Sequence, residues 1–212
     1  MDIQLDPLRP RQPAKQARSR LTRERLIAAG IRLFEAREFD DIAISELAAA
    51  AGCSVGAFYH HFSDKEDYYE AVVAAQLETL WRDFEARFRP ADLAGLPVRE
   101  VIARAVGFLR AIMCDNQSLI RISYRRSLAD EAPWLPIRAF GRAFEARLLD
   151  QLADRQGDFA VADWQAAFAF GMQMLYATLL NAILRRPGPL MIEDEALATA
   201  LTEMLAGQLR VR

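Results

Sequence analysis

The sequence predicts an all-α protein of about nine helices, on three observations. Apolar residues recur at helical spacing through nearly the whole chain, and breakers at Pro133, Pro136, Gly157, Pro187, Gly188 and Pro189 separate the later periodic segments. No run alternates apolar and polar residues in the period-two pattern of a strand. At 212 residues and 52% hydrophobic content, the chain can bury a real core, as one large domain or as a small one plus a medium one.

Residues 1–16, with Pro7, Pro10 and Pro13, are predicted to be extended until something binds them. A first helix then runs to about Arg37, with Leu26, Ile27, Ile31, Leu33 and Phe34 as its apolar stripe. In a second, Ile44, Leu47, Ala48 and Ala51 keep helical spacing until Gly52, where a left-handed backbone is easiest. Ser54 can cap a third helix, and Phe58 and Phe62 give it one apolar side. Ser63 to Glu66 has the form of a capping box and announces a fourth helix, which carries Tyr69, Val72, Leu77, Trp81, Phe84 and Phe88 until Pro90. That helix is long enough to connect two domains. Beyond the break at Pro90 to Pro97, helices are predicted at 98–114, 117–129, 134–155, 161–185 and 193–209. The predicted organisation is an arm (1–16), a three-helix head (17–65) and a larger helical body (66–212).

Charge is polarised along the chain. Residues 9–25 hold Arg9, Arg11, Lys15, Arg18, Arg20, Arg23 and Arg25 against Glu24 alone, so this run is +6 and, with a total of −2, the rest is −8. Such a run is either a solvated tail or an arm lying along phosphates or in a minor groove. Cys53 and Cys114 are far apart and show no paired spacing, so neither a disulfide framework nor a zinc site is suggested, and a reduced, cytoplasmic setting is expected. The first residues lack the apolar core of a secretory signal. Trp164 to Leu184 is a run of twenty-one residues without a charge, followed by Arg185 and Arg186. It has the length of a membrane span. Gln165, Gln173 and Asn181 oppose that reading, and a helix apolar on every side also results when one face lines a cavity and the other meets a partner subunit.

Two short helices joined by a Gly-containing turn form a helix-turn-helix, whose second helix enters the major groove. Phe34, the run Ile44-Ser-Glu-Leu-Ala-Ala-Ala-Ala-Gly, and Gly56-Ala-Phe-Tyr-His-His-Phe leading to Lys65 extend the match beyond the generic motif. Residues 20–70 thereby resemble the TetR family of transcriptional regulators. The resemblance implies that Ser45, Ser54, Val55, Gly56, Ala57, Tyr59 and His60 lie at or near DNA, with Lys65 on a phosphate. A cation in the first turn of a helix opposes the dipole by some ~0.3–1 kcal/mol, so Lys65 makes most sense where a phosphate sits. His60 and His61 point about 100° apart on a helix and have no third ligand at useful spacing, so no metal is expected. One of them is expected to reach phosphates while the other packs. Cys53 stands where the family usually has a small apolar residue, and is expected to be buried.

Two departures from the family pattern have consequences. Position 43, commonly a capping Ser or Thr, is alanine, so Asp40 or Asp41 must cap the second helix or that helix starts less firmly. Val55, Gly56 and Ala57 are too short for bidentate pairing with a base, so sequence choice must lean on thymine methyls, serine hydroxyls, groove shape and the basic arm.

In the body, aromatic and sulfur side chains suit a cavity for a mostly apolar small molecule; the candidates are Trp81, Phe108, Met113, Tyr124, Phe140, Phe144, Phe168, Met172 and Tyr176. The resemblance implies a homodimer whose four-helix interface is built from the segments 161–185 and 193–209. The function expected is a ligand-responsive repressor binding an inverted-repeat operator, the alternative being an activator or a regulator answering to a protein partner. No cofactor is implied. No Ser-His-Asp set, HExxH, P-loop or paired-metal spacing is visible, so an enzyme is not expected.

Overall fold

The computed structural model describes residues 12–211, and for 12–15 the backbone alone. Ten α-helices follow one another: α1 (Gln12–Ala36), α2 (Ile44–Ala50), α3 (Val55–His61), α4 (Lys65–Arg87), α5 (Pro90–Leu93), α6 (Val98–Asp115), α7 (Gln117–Ser127), α8 (Leu135–Leu152), α9 (Trp164–Leu184) and α10 (Glu195–Leu209). Short 3-10 turns flank α8, and among the described residues an isolated bridge between Phe159 and Val211 is the nearest approach to a strand. The all-α expectation holds, with one added four-residue helix inside the Pro90 to Pro97 break. The expected extended arm reached residue 16, but α1 already begins at Gln12. Pro13 has no amide to lose in a first turn, and Ala14 and Lys15 are good helix formers. The rest of the arm, residues 1–11, lies outside the described residues.

Two compact units are present, the first ending at Val72 and the second beginning at Val73. That division falls beyond residue 65 because the start of α4 belongs to the first core, where Tyr68, Tyr69 and Val72 are buried. Tyr68 is central to it. Its ring lies 5.1 Å from Phe58, 5.0 Å from Phe62 and 6.3 Å from Phe34. Its hydroxyl donates a 2.7 Å hydrogen bond to the Leu26 carbonyl. Gly30 permits this approach, since a Cβ there would strike the Tyr68 hydroxyl and lie 2.9 Å from a Val72 methyl.

In the second unit, Phe84, Phe88, Phe108 and Phe144 form an aromatic cluster; Phe84 lies 4.7 Å from both Phe88 and Phe144, and Phe108 stacks on Phe144 at 5.9 Å. The uncharged segment is α9, which packs against α6, α7, α8 and α10. Trp164, Phe168, Met172, Leu175, Leu179 and Ile183 on it are buried. It is long and apolar enough to cross a membrane by length and composition, and one face of it packs into the core of this unit. Two arginines, Arg110 buried and Arg121 half-buried, tie the helix ends together. Arg110 donates to the Ile192 carbonyl at 2.9 Å and pairs with Glu195, and Arg121 donates to the Ile183 carbonyl at the end of α9 at 3.0 Å. Two of the three nitrogens of the buried Arg110 guanidinium meet carbonyls and a carboxylate, which offsets much of the cost of burying it, while among the described residues its Nε has no hydrogen-bond partner.

Gly30→Ala should destabilise the first unit by roughly 1–3 kcal/mol, because the rigid Tyr68 ring must move and its hydrogen bond goes with it. Gly107→Ala, inside α6 where an added Cβ meets nothing within 4 Å, should be neutral or stabilising. Urea unfolding of the two variants should therefore shift midpoints in opposite directions or by very different amounts, and equal shifts would overturn the role given to Gly30.

Candidate nucleic-acid interface and internal cavity

The turn between α2 and α3 is built by local hydrogen bonds. Ala51 closes α2, Gly52 takes a left-handed φ of 66°, and the amides of Gly52 and Cys53 reach back to the carbonyls of Ala49 (3.0 Å) and Ala48 (2.9 Å). This is the Schellman pattern, for which glycine has no Cβ penalty. Ser54 then caps α3, accepting from the Ala57 amide at 3.2 Å as expected.

The start of α2 differs from expectation. Glu46, on the first turn, takes the capping place expected of Asp40 or Asp41, accepting from the Ala43 amide at 2.8 Å. Arg37 holds that carboxylate at 2.6 Å and also donates to the Asp41 carbonyl. Alanine at 43 removes only the half of a capping box that the N-cap side chain would supply. The expected box from Ser63 to Glu66 is likewise displaced by one residue. Asp64 accepts from the Asp67 amide at 2.8 Å, and Asp67 accepts from the Ser63 amide at 2.8 Å, because α4 starts at Lys65.

With Phe58 and Phe62 buried, α3 shows a consistent outer face. Ser54, Val55, Gly56, Tyr59 and His60 are exposed, Val55 at 40% and Tyr59 at 54%, while Ala57 is half-buried and Ser45 is exposed on α2. A Cβ at Gly56 would meet nothing closer than the Ser54 hydroxyl at 3.8 Å, so this glycine is not required by the unit's own packing. His60 and His61 lie 5.1 Å apart. His61 is the half-buried one, and burial, then His60 and Arg23, hold it below the usual histidine range. Among the described residues no group of three or more His, Cys, Asp or Glu is placed to hold a metal ion. Cys53 is half-buried and its thiol is pushed up by burial, which disfavours the reactive thiolate. Lys65 lies in the first turn of α4, its ammonium 3.2 Å from the Asp40 carbonyl and 4.4 Å from the centre of the Phe39 ring. These contacts offset its unfavourable place on the helix dipole and orient the cation.

The second unit holds a cavity of about 780 Å³, within the range of small-molecule sites. Helices α4, α6, α7, α8 and α9 contribute to its wall, which is largely apolar, as Leu77, Leu80, Leu109, Ile112, Trp134 and Ile137 show. Polar groups enter at few points. Gln76 donates to Asn116 at 2.7 Å, Arg138 pairs with Glu131, and Tyr176 donates to the Gly141 carbonyl at 3.1 Å. Of the residues expected to form such a site, Met113, Phe140 and Tyr176 lie on the wall. Trp81 stands behind it, its ring 5.9 Å from Phe140, and Tyr124 stands 6.0 Å from Trp134. Phe108, Phe144, Phe168 and Met172 belong to the solid core instead. Large aromatic side chains are drawn to the most buried helix faces, so composition could not separate wall from core. The sequence pointed to Trp134 as well, another aromatic of the body that lies on the wall, but missed Gln76, Asn116 and Glu145, polar residues that only the packing of separate helices brings together.

The first unit is that of a helix-turn-helix DNA-binding domain. Residues 26–72 match the family model described as bacterial regulatory proteins, tetR family. Curated relatives agree. The uncharacterised HTH-type transcriptional regulator YerO of Bacillus subtilis is 34% identical over 116 residues, 51% of this chain and 37% of YerO. The HTH-type regulator SrpR of Pseudomonas putida is 36% identical over 63 residues, 30% of each chain. The chain thus spans about a third to a half of the length of the curated relatives it matches. Likeness of fold reaches further. Salmonella enterica GusR superposes with a TM-score of 0.66 at 19% identity over 97% of this chain and all of GusR, and the fatty acid degradation regulator FadR of Bacillus halodurans with 0.64 at 17% identity over 90% of this chain and 97% of FadR. The curated relatives it matches are transcriptional regulators.

Glu46→Ala should lower the melting temperature of the first unit more than Glu70→Ala on exposed α4, since it removes both the α2 cap and the partner of Arg37. Glu46 is held below the usual carboxylate range by the Ala43 amide first and Arg37 second. Its contribution is therefore complete above the unfolded carboxylate pKa and is lost as pH falls through the folded one. Melting curves of Glu46→Ala across acid pH should converge with wild type only at the acid end, while those of Glu70→Ala should stay close to wild type throughout.

Proposed function

We propose that the chain is a ligand-responsive transcriptional repressor that acts in the cytoplasm and binds an inverted-repeat operator as a homodimer. The observation that carries the reading is the outer face of α3, whose polar and small residues are exposed while Phe58 and Phe62 hold the helix from behind. One such helix per subunit buries too little DNA to be specific, so two are required. The dimer is supported by the far side of the second unit: α9 exposes Phe170 at 53% and Met174 at 42%, and α10 exposes the small residues Ala196, Ala200 and Gly207. These belong to the segments 161–185 and 193–209 through which the homodimer is proposed to form. In this reading Ser45, Ser54, Val55, Gly56, Ala57, Tyr59 and His60 meet DNA and Lys65 neutralises a phosphate.

The effector is a small, mostly apolar molecule in the cavity of the second unit. Coupling runs through α4, a single helix that begins at Lys65 and supplies Gln76, Leu77 and Leu80 to the cavity wall. A ligand that prefers one position of this helix changes DNA affinity, and linkage requires DNA to oppose the ligand equally.

Selection of duplexes from a random pool should return an inverted repeat. Lys65→Ala should weaken all sequences alike and flatten the salt slope by about one unit. Val55→Ala should act at one base position. Gly56→Ala should leave the fold as stable or more so yet lower DNA affinity, because the added methyl projects into the interface. A change of base preference in Lys65→Ala would overturn this division of roles. For the coupling, hydrophobic compounds titrated against free protein and against the protein–DNA complex should bind the free protein more tightly, and equal affinities would overturn release by ligand.

A further inference from the structure

Three charged side chains line the cavity: Arg138, Arg142 and Glu145, all on α8. Their situations differ. Arg138 is neutralised by Glu131, and Arg142 is exposed and keeps its water. Glu145 is half-buried, and among the described residues it has no hydrogen-bond donor and no ion-pair partner, although Arg142 lies one turn before it. Burial holds its carboxyl above the usual range, the direction expected of a carboxylate that loses water and gains no cation. The neighbouring Tyr176 phenol is pushed up by burial and then by the negative charge of Glu145. That hydroxyl is committed to the Gly141 carbonyl, so Tyr176 does not satisfy the carboxylate. What it adds to the wall is its ring, beside those of Trp134 and Phe140.

We infer that the cavity takes a lipophilic cation, whose charge is met by the Glu145 carboxylate and whose apolar body lies against Trp134, Phe140 and Tyr176. The inference deepens the effector site proposed above and rests on that reading. A partly desolvated carboxylate without a cation is stabilised when one arrives, and ring faces add attraction for the same sign of charge. A neutral apolar guest would instead bury the carboxylate further with nothing to offset it. An anion would be drawn to Arg142, which needs no partner because water already solvates it, and would be repelled by Glu145.

The test uses two ions of matched size and shape and opposite sign, tetraphenylphosphonium and tetraphenylborate, titrated calorimetrically into the full-length protein without DNA. Tetraphenylphosphonium should saturate one site per chain and bind at least about tenfold more tightly than tetraphenylborate, as a charge pair of modest effective dielectric supplies. Glu145→Gln should remove most of that preference by weakening tetraphenylphosphonium alone. Glu145→Asp should keep the preference for the cation, and Arg142→Gln should leave it intact. Thermal unfolding confirms that each variant is folded, and if Glu145→Gln is not, Glu145→Ala replaces it. Equal affinity for the two ions, tighter binding of tetraphenylborate, no saturable binding of either, or an undiminished preference without the carboxylate would each overturn the inference. A separate titration of the protein–DNA complex keeps the two proposals apart. If tetraphenylphosphonium binds through Glu145 but leaves DNA affinity unchanged, the cation site stands and control by ligand falls.

Discussion

The first unit depends on the contact between Tyr68 and Gly30. Tyr68 comes from α4, lies against the rings of Phe34, Phe58 and Phe62, and sends its hydroxyl to the carbonyl of Leu26. It therefore joins α1, α3 and α4 at one point, and the joint closes only because Gly30 offers no Cβ in its path. A buried phenol must find a partner, and the α1 carbonyl supplies one. With Phe58 and Phe62 held from behind in this way, the opposite face of α3 is left exposed and positioned without contributing to the core.

The second unit solves a different problem, which is to leave space. Its aromatic cluster of Phe84, Phe88, Phe108 and Phe144 is closely stacked, and α9 is buried against its neighbours through Phe168, Met172 and Leu175. The cavity lies beside this solid part and keeps Leu77, Leu80, Ile112 and Trp134 on its wall. An unfilled volume forfeits dispersion contacts and weakens a core. Here the surrounding frame is tied by interactions that do not need the cavity filled, including Arg110 to Ile192 and Glu195, Arg121 to Ile183, and Arg155 to the Leu96 carbonyl at 2.6 Å. The single helix α4 supplies residues to both units: Tyr68 and Val72 to the first core, Phe84 and Phe88 to the second.

The parts of the fold legible from the chain were those decided within a few residues. The Gly52 turn and the Ser54 cap each close rings of hydrogen bonds between residues no more than five apart, so composition at those positions is sufficient to read them. The absence of a capping side chain at Ala43 was also legible, but its remedy was not. Glu46 takes the place given to Asp40 or Asp41 because Arg37, nine residues earlier, orients its carboxylate. The box at the start of α4 slipped by one residue, since Asp64 accepts from the Asp67 amide and Asp67, in place of Glu66, accepts from the Ser63 amide.

By itself, the sequence determined the helical class, the helix-turn-helix and its outward residues, because periodicity, glycine and caps act locally. Tertiary structure alone decided which face of the uncharged segment Trp164 to Leu184 is buried, through packing by α6, α7, α8 and α10, and which is left exposed with Phe170 and Met174. It alone also sorted the aromatic residues. Phe140 and Tyr176 reached the cavity wall while Phe144 and Phe168 entered the core. Residues one helical turn apart are equally apolar in composition, and whether a side chain meets another side chain or an open space is fixed by helices far away in the chain.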